Sequence, residues 1–269
     1  MFASALSRGY TFGPVFRAEE SLTSRHLAEF WMLEAEIAFI NLNNLLDITE
    51  NSIKHTIRHV LDTCPEEMEF FNQFVGKKDN QKNPLLLKRL QKTVDDGFVR
   101  MTYKEAIDIL QESERRSKKK KLFEFPTTYG SSLQSEHERF LTSEECQDQP
   151  VFVTDYPSDQ KPFYMRENED GQDQGNKPTV ACFDLLVPGI GELVGGSMRE
   201  EREKILENKM KLAGMDTEEY DWYLELRKYG SAPHGGYGIG FERLMLMLTG
   251  FENVREVVPV PRWVGHCKY

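Results

Sequence analysis

Cysteine is scarce in this sequence of 269 residues, and its positions share no regular spacing. The four cysteines are Cys64, Cys146, Cys182 and Cys267. The sequence has neither the close pairs that zinc ligands form nor the density of a disulfide framework, so it indicates neither kind of stabilisation. A reducing compartment is the better expectation.

Long apolar runs are lacking as well. No stretch approaches the roughly 20 apolar residues of a membrane-spanning helix, and residues 1–6 lack the basic start and apolar core of a signal peptide. We therefore expect no membrane segment. With 39% hydrophobic residues, the chain can still bury the core of one large domain.

Basic residues are fewer than acidic ones, 34 against 44, which gives a formal charge of −10. An acidic surface repels polyanions, so nucleic-acid binding has to come from a local patch. The most basic stretch covers residues 113–121 and includes four consecutive lysines. A solvated helix end is the first interpretation of this stretch, and a nucleic-acid contact is the second.

What the sequence does contain, near its start, is a charged and aromatic pattern typical of two strands joined by a polar loop. On the first strand a period of two places Arg17 and Glu19 on one face. On the second strand it groups an imidazole, an aromatic ring and two carboxylates: His26, Phe30, Glu34 and Glu36. Such a face could hold a triphosphate, a flat base and an amine. A surface hairpin with ion pairs is the alternative.

Two helices have clear boundary signals. An apolar pattern with helical period starts near Ala35 and should stop by Cys64, because Pro65 cannot continue a helix. Thr102, with Glu105 three residues later, predicts a capped helix through Leu110.

Strands are predicted in the second half of the chain. Residues 150–154 and 163–166 have the composition of strands around a turn, and residues 180–187 of a buried strand. Residues 167–178 contain no apolar side chain, which predicts an exposed, mobile loop.

Two acidic residues flank a glycine-containing turn in this region. Asp184 and Glu192 on adjacent strands would form a magnesium platform for phosphates. A turn in which Asp184 pairs with a nearby arginine is the alternative. After the turn, Arg199 is expected to start a charged helix that Gly214 ends. The acidic cluster at residues 136–138 lacks the His spacing of a metalloprotease and indicates helix-surface charge or a substrate-side contact.

A glycine-rich stretch at residues 233–243 leads into an apolar helix. It is not a dinucleotide-binding fingerprint, because Arg243 stands where the third glycine belongs. A glycine-rich strand that feeds a helix can place an arginine of the first turn on a terminal phosphate.

Taken in order, these blocks resemble the catalytic core of class II aminoacyl-tRNA synthetases, and among them the asparaginyl-tRNA synthetases. The blocks that carry the resemblance are residues 16–19, 24–31, 163–165, 188–192, 196–197 with 199–202, and 238–243. It implies an α+β fold, an antiparallel sheet flanked by helices. Residues 1–269 would form a partial catalytic domain with a helical insertion around residues 50–125. The family's anticodon-binding barrel and dimer-forming segment would precede residue 1.

The resemblance also implies an ATP site. Its expected members are Arg17, Glu19, Arg25, His26, Phe30, Glu192, Gly240 and Arg243. Phe30 and Arg243 would sandwich the adenine, and Glu19 would accept from its amine. Arg243 would also lie near the γ-phosphate.

The phosphates have their own expected ligands by the same resemblance. Arg17 would bind the α-phosphate and, with Arg243, would be catalytic. Arg25 and His26 would bind the outer phosphates, while Asp184 and Glu192 would hold Mg²⁺.

The amino-acid side of the site is expected to select asparagine. Arg199 would donate to the side-chain amide oxygen, Glu34 would accept from its nitrogen, and His234 would line the same pocket by analogy. Glu34 would repel aspartate. The resemblance thus implies an asparagine-tRNA ligase that charges tRNA(Asn), and a homodimer in the full-length family.

Residues 161–166, 168–171 and 184–188 look most like the mitochondrial form, so the mitochondrial matrix is the expected location. Two alternatives stay open at this point. One is a truncated, non-catalytic paralogue or fragment that keeps a nucleotide pocket. The other is an asparagine synthetase-like relative.

Overall fold

The computed structural model describes residues 2–20, 23–78, 85–117, 121–172 and 178–268. The helices are α1 Phe2–Leu6, α2 Leu42–Thr63, α3 Pro65–Lys78, α4 Leu86–Asp95, α5 Tyr103–Arg116, α6 Ser135–Arg139, α7 Glu203–Leu212, α8 Asp221–Lys228 and α9 Phe241–Thr249. The strands are β1 Arg8–Phe16, β2 Glu29–Ala38, β3 Val99–Thr102, β4 Val151–Thr154, β5 Glu167–Gln172, β6 Pro178–Val180, β7 Cys182–Val187, β8 Gly191–Met198 and β9 His234–Gly240. Within these ranges no helix combines the length and the apolar character needed to cross a membrane.

A seven-stranded sheet with the order β1-β2-β9-β8-β7-β4-β3 forms the body of the fold. Strands β3 and β4 run parallel, and the other neighbouring pairs are antiparallel. Strands β5 and β6 form a separate pair. The predicted α+β class with an antiparallel sheet flanked by helices is confirmed.

The two faces of the sheet are covered differently. One face carries the larger core, where side chains such as Phe183 and Val194 pack with Leu45 of α2 and Leu246 of α9. Alternate residues of the sheet point the other way, and at the β4 end they pack on α5 in a second core. At the opposite end that second face forms a cleft, which holds most of the predicted site residues.

Local signals set the helix boundaries well. Helix α2 ends at Thr63, directly before Cys64 and Pro65, as predicted, but it begins later than the periodicity indicates because β2 continues to Ala38. Thr102 and Glu105 form the predicted capping box. Helix α5 then runs past Leu110 to Arg116.

Three local predictions are wrong. Residues 163–166 lie outside the strands and make only an isolated bridge between Met165 and Arg199. The predicted loop at residues 167–178 contains β5 instead, with residues 173–177 outside the described residues. Polar groups of β5 are satisfied by contacts with other parts of the fold; for example, the Glu167 amide donates to the Glu200 carboxylate at 3.0 Å. Arg199 does not start a helix, because α7 begins at Glu203.

The basic stretch at residues 113–121 fits its first interpretation where it is described. Arg115 and Arg116 are exposed at the end of α5, and both pair with Glu112. Residues 118–120 lie outside the described residues.

Candidate functional site

The cleft on the open face of the sheet consists of two connected pockets. The first pocket lies towards α9 and is lined by Phe30 and Arg243 among others; we call it the nucleotide-side pocket, after its expected ligand. The second pocket lies towards β1 and the segment that precedes β5, and its lining includes Arg199. The residues that line both are Arg17, Met32, Glu192, Gly195 and Gly238. The floor of the cleft leaves room for a ligand because Gly195 of β8 and Gly238 and Gly240 of β9 line it without a side chain. A Cβ at Gly238 would lie 2.9 Å from the Met32 sulfur.

The loop between β1 and β2 brings the first predicted residues to the nucleotide-side pocket. The Arg17 guanidinium lies 5.2 Å from the centre of the Phe30 ring and 3.9 Å from the Glu19 carboxylate. Backbone hydrogen bonds from Arg17 to Ala28 (3.0 Å) and from Ala28 to Arg262 (2.8 Å) close the base of this loop. Arg17 and Glu19 thus lie after the first strand rather than within it.

The glycine-rich strand β9 delivers Arg243 to the same pocket, in the first turn of α9, as the sequence predicts. Its guanidinium donates to the backbone oxygen of Glu192. The preceding residue, Glu242, is buried and accepts from the Trp31 amide at 2.9 and 3.1 Å, which fixes α9 against β2. Burial raises the pKa of Glu242. This carboxylate was not predicted as part of the site.

Arg25 and His26 line the outer part of the pocket. Arg25 Nη1 lies 3.6 Å from Glu138 Oε2, and its Nη2 lies 3.5 Å from the Gly189 oxygen. Burial lowers the pKa of His26, and the nearby Arg243 charge lowers it further. Two predicted phosphate ligands therefore lie beside Arg243, in a part of the cleft rich in positive charge.

Glu138 is a site residue that sequence reasoning did not identify, although the cluster at residues 136–138 was noticed. Burial raises the pKa of Glu138 to about 7, the neighbouring Glu192 carboxylate raises it too, and Arg25 opposes both effects. The adjacent His137 is fully buried and accepts from the Gln134 amide at 3.1 Å, which is a structural role.

Asp184 and Glu192 lie on β7 and β8, as predicted, and meet below Gly195. A Cβ at Gly195 would lie 3.0 Å from Glu192 Oε1 and 3.9 Å from Asp184 Oδ1. Burial raises the pKa of Glu192, and the Asp184 carboxylate raises it further. Lys161 Nζ partly compensates, at 2.7 and 3.0 Å from the two Asp184 oxygens.

This pair fits Mg²⁺ as a two-carboxylate platform. In the described part of the chain, no group of three or more potential metal-binding side chains comes together. Mg²⁺ commonly uses one or two carboxylates and takes its other ligands from substrate phosphates and water. Two mutually repelling carboxylates that both line the cleft meet that requirement. The predicted alternative also holds in part, with Lys161 in place of an arginine.

In the second pocket Arg199 is held by a partner that was not predicted. Its Nε and Nη2 donate to the two Glu36 oxygens at 3.0 and 2.9 Å, and its Nη1 donates to the Ser197 hydroxyl at 2.8 Å. The Tyr164 ring centre lies 5.3 Å away. Burial alone would lower the pKa of Arg199, but Glu36 raises it.

Glu34 lines the same pocket as Arg199, so the structure brings this predicted pair together. The Thr11 hydroxyl lies 3.3 Å from Glu34 Oε2. His234 is not among the residues that line this pocket. It opens β9, and its Nδ1 lies 2.9 Å from the Ala232 oxygen.

A sheet with a partly open face, whose cleft joins an arginine-rich pocket to a pocket with paired acidic and basic groups, has the architecture of the class II aminoacyl-tRNA synthetase catalytic core. The chain belongs to the family described as tRNA synthetases class II (D, K and N), whose model matches residues 1–264.

Similar proteins within this family include asparaginyl enzymes. An asparagine--tRNA ligase of Clostridium beijerinckii is 51% identical over 268 residues, which are 100% of this chain and 53% of that protein. The asparaginyl-tRNA synthetase of Pyrococcus horikoshii complexed with asparaginyl-adenylate matches with a TM-score of 0.83 and 34% identity, over 99% of this chain and 55% of that one. An Entamoeba histolytica asparaginyl-tRNA synthetase matches with a TM-score of 0.80 and 34% identity, over 99% of this chain and 55% of that one. The chain thus spans about half the length of these relatives.

Proposed function

We propose that the chain is the catalytic core of an asparagine-tRNA ligase, which activates asparagine with ATP and transfers it to tRNA(Asn). The observation that carries this proposal is the junction of the two pockets at Arg17 and Glu192. A nucleotide in one pocket and an amino acid in the other would present a phosphate to a carboxylate there. The asparaginyl enzymes among its relatives support asparagine as the amino acid.

The first step is an in-line displacement at phosphorus. A carboxylate oxygen of asparagine forms a bond to the α-phosphorus of ATP, and the bridging bond from this phosphorus to the pyrophosphate breaks. The bonding electrons leave with the pyrophosphate. Arg17 neutralises charge at the α-phosphate, and Arg25 and Arg243 neutralise it on the leaving group, so positioning and electrostatics supply the catalysis.

The second step transfers the asparaginyl group to RNA. A hydroxyl of the terminal ribose forms a bond to the acyl carbon, and the bond from this carbon to the phosphate oxygen breaks. AMP leaves with the electrons of that bond, and the hydroxyl proton passes to the phosphate of AMP or to solvent. Asp184 and Glu192 would hold Mg²⁺, which when bound adds positive charge against the phosphates.

Selection of asparagine follows from the donors and acceptors of the second pocket. The Glu36 and Ser197 contacts of Arg199 use three of the five N–H groups of its guanidinium, which leaves others for an amide oxygen. Glu34 accepts from the amide nitrogen and repels the second carboxylate of aspartate.

Two further proposals concern the assembly and its location. We propose that the full-length protein is a homodimer, and that a second copy also packs against the edge strand β1, where Tyr10 and Phe16 are exposed. We also propose a mitochondrial matrix location, from the resemblance at residues 161–166, 168–171 and 184–188. Fractionation of cells with an antibody to the chain tests the location.

The test of the activity is ATP-pyrophosphate exchange on the purified chain, with asparagine or aspartate as the amino acid. We expect exchange that depends on asparagine and disappears in Arg243→Ala. Arg115→Ala is the matched control, because Arg115 is exposed on α5 and does not line the cleft. A folded sample without asparagine-dependent exchange would contradict the proposal.

A further inference from the structure

Beside the nucleotide-side pocket lies a groove of about 340 Å³ that opens to solvent. Helix α4, the end of α6, the turn at residues 188–191 and the end of α9 border it. Arg25, Arg89 and Arg139 line it and give it a positive character. We call it the arginine groove.

The positive charge of the groove is only partly compensated. Arg25 is near Glu138, but in the described part of the chain the exposed guanidinium groups of Arg89 and Arg139 form no ion pair or hydrogen bond. Glu252 is the carboxylate that lines the groove. Arg139 is close enough to Arg25 for the repulsion between them to lower the pKa of Arg25, in addition to the larger effect of burial. Such a cluster is stabilised when an anion binds.

Arg25 connects this groove to the nucleotide-side pocket, because it lines both. Its guanidinium faces the Gly189 oxygen of the turn that separates them. A Cβ at Gly191 would lie 2.5 Å from Arg25 Nη1, so the bare turn is what lets the guanidinium lie there. A chain of phosphates held at Arg25 can therefore extend from the pocket towards Arg139 and Arg89.

We propose that the arginine groove is a polyphosphate subsite that receives the pyrophosphate released by adenylate formation. Arg89 and Arg139 add two guanidinium groups to Arg25 and draw the product away from the α-phosphorus. The assignment of pyrophosphate as the occupant rests on the proposed function; the groove's affinity for polyphosphate does not.

The test is calorimetric titration of the 269-residue chain with pyrophosphate and, separately, with AMP, which lacks the outer phosphates. We expect Arg89→Gln and Arg139→Gln each to raise the Kd for pyrophosphate about fivefold, and the double variant to raise it more than tenfold. The Kd for AMP should stay unchanged in all of them. Lys88→Gln is the matched control, since Lys88 is exposed on α4 but does not line the groove.

The phosphate could also belong to RNA, so a second arm titrates an acceptor-stem RNA. If the double variant binds this RNA weakly and pyrophosphate normally, the pyrophosphate subsite is overturned. Normal pyrophosphate binding together with normal exchange overturns the subsite and leaves the proposed function intact. Weaker pyrophosphate binding supports the subsite even in a chain without exchange activity, because the titration requires no turnover.

Discussion

At the scale of single residues, the second pocket depends on the shape of one guanidinium. Arg199 contacts both Glu36 oxygens and Ser197 at once, and this holds its plane against Tyr164. A point charge of the same sign cannot make that set of contacts. The remaining N–H groups are therefore already oriented for the proposed asparagine ligand.

This geometry gives the first prediction, for Arg199→Lys. The ammonium group keeps the charge but loses the planar contacts, so we expect the KM for asparagine to rise by roughly 10- to 100-fold. The KM for ATP should change little. Exchange rates measured against each substrate separate the two effects, with Arg115→Lys as the control. An equal rise in both KM values would contradict a specific role in amino-acid binding.

The second prediction concerns Glu138 and pH. Its pKa is raised from 4.5 to about 7, so between these values the folded chain holds a proton that the unfolded chain has released. Its contribution to stability is fully present below pH 4.5 and is lost as pH rises through 7. We expect the free energy of unfolding to fall less steeply over this range in Glu138→Gln.

Urea unfolding at intervals from pH 4.5 to 8 measures that slope. Glu144→Gln, at an exposed position shortly after Glu138, should retain the wild-type slope. Identical slopes in wild type and Glu138→Gln would show that Glu138 titrates normally.

The sequence identified the groups that face the cleft better than it identified their partners. Arg199 was a predicted site residue, but Glu36 lies 163 positions away, and no local pattern joins them. Lys161 was likewise unpredicted, because its pairing with Asp184 depends on how the segment before β5 crosses β7. Roles follow from residue type and motif, whereas contacts between distant residues follow from the fold.

At the scale of elements, strand β9 has no room for a side chain at Gly236, where it pairs with β2. A Cβ at Gly236 would overlap the Glu36 carboxylate and the Ala35 backbone oxygen. The backbone cannot retreat without breaking the antiparallel pairing of Gly236 with Glu36. A single methyl group should therefore disturb both the sheet and the Arg199 partner.

The third prediction is that Gly236→Ala lowers the free energy of unfolding by about 2–3 kcal/mol, the cost of overpacking a buried site. Gly13→Ala on β1 is the control, because open space surrounds its Cβ position. Urea denaturation of both variants measures the difference. Equal losses would mean that strand propensity, and not the close approach, sets the cost.

Elements with local end signals were predicted well, as with Thr102 and Cys64, because a cap or a proline acts within a few residues. Residues 167–172 were predicted as loop because they are polar. In the structure these polar groups bond to groups outside the strand, as when the Glu167 amide donates to Glu200 at 3.0 Å and the Asn168 side chain donates to Asp155 at 2.8 Å. Strand formation there depends on tertiary contacts, which local composition does not report.

At the scale of the whole molecule, the sheet order places β1 at an edge. This order pairs β2 with β9, some two hundred residues later, so it is invisible to local patterns. An edge strand with exposed aromatic side chains is a surface for pairing with another chain. The cleft lies partly on β2, which pairs with β1. A partner bound at β1 would therefore help to hold β2 in position.

The last prediction tests this edge. Tyr10 on β1 is 78% exposed. If the proposed dimer forms through this strand, Tyr10→Asp should shift the chain to monomer, because a charge would be buried against the second copy. Tyr229→Asp, at the end of α8 and 77% exposed, should leave the dimer intact. Sedimentation velocity over a range of concentrations measures both. A wild-type chain that sediments as a monomer at every concentration would remove the proposed dimer, and it would require the isolated chain to position β2 and its Glu34 and Glu36 side chains without a partner.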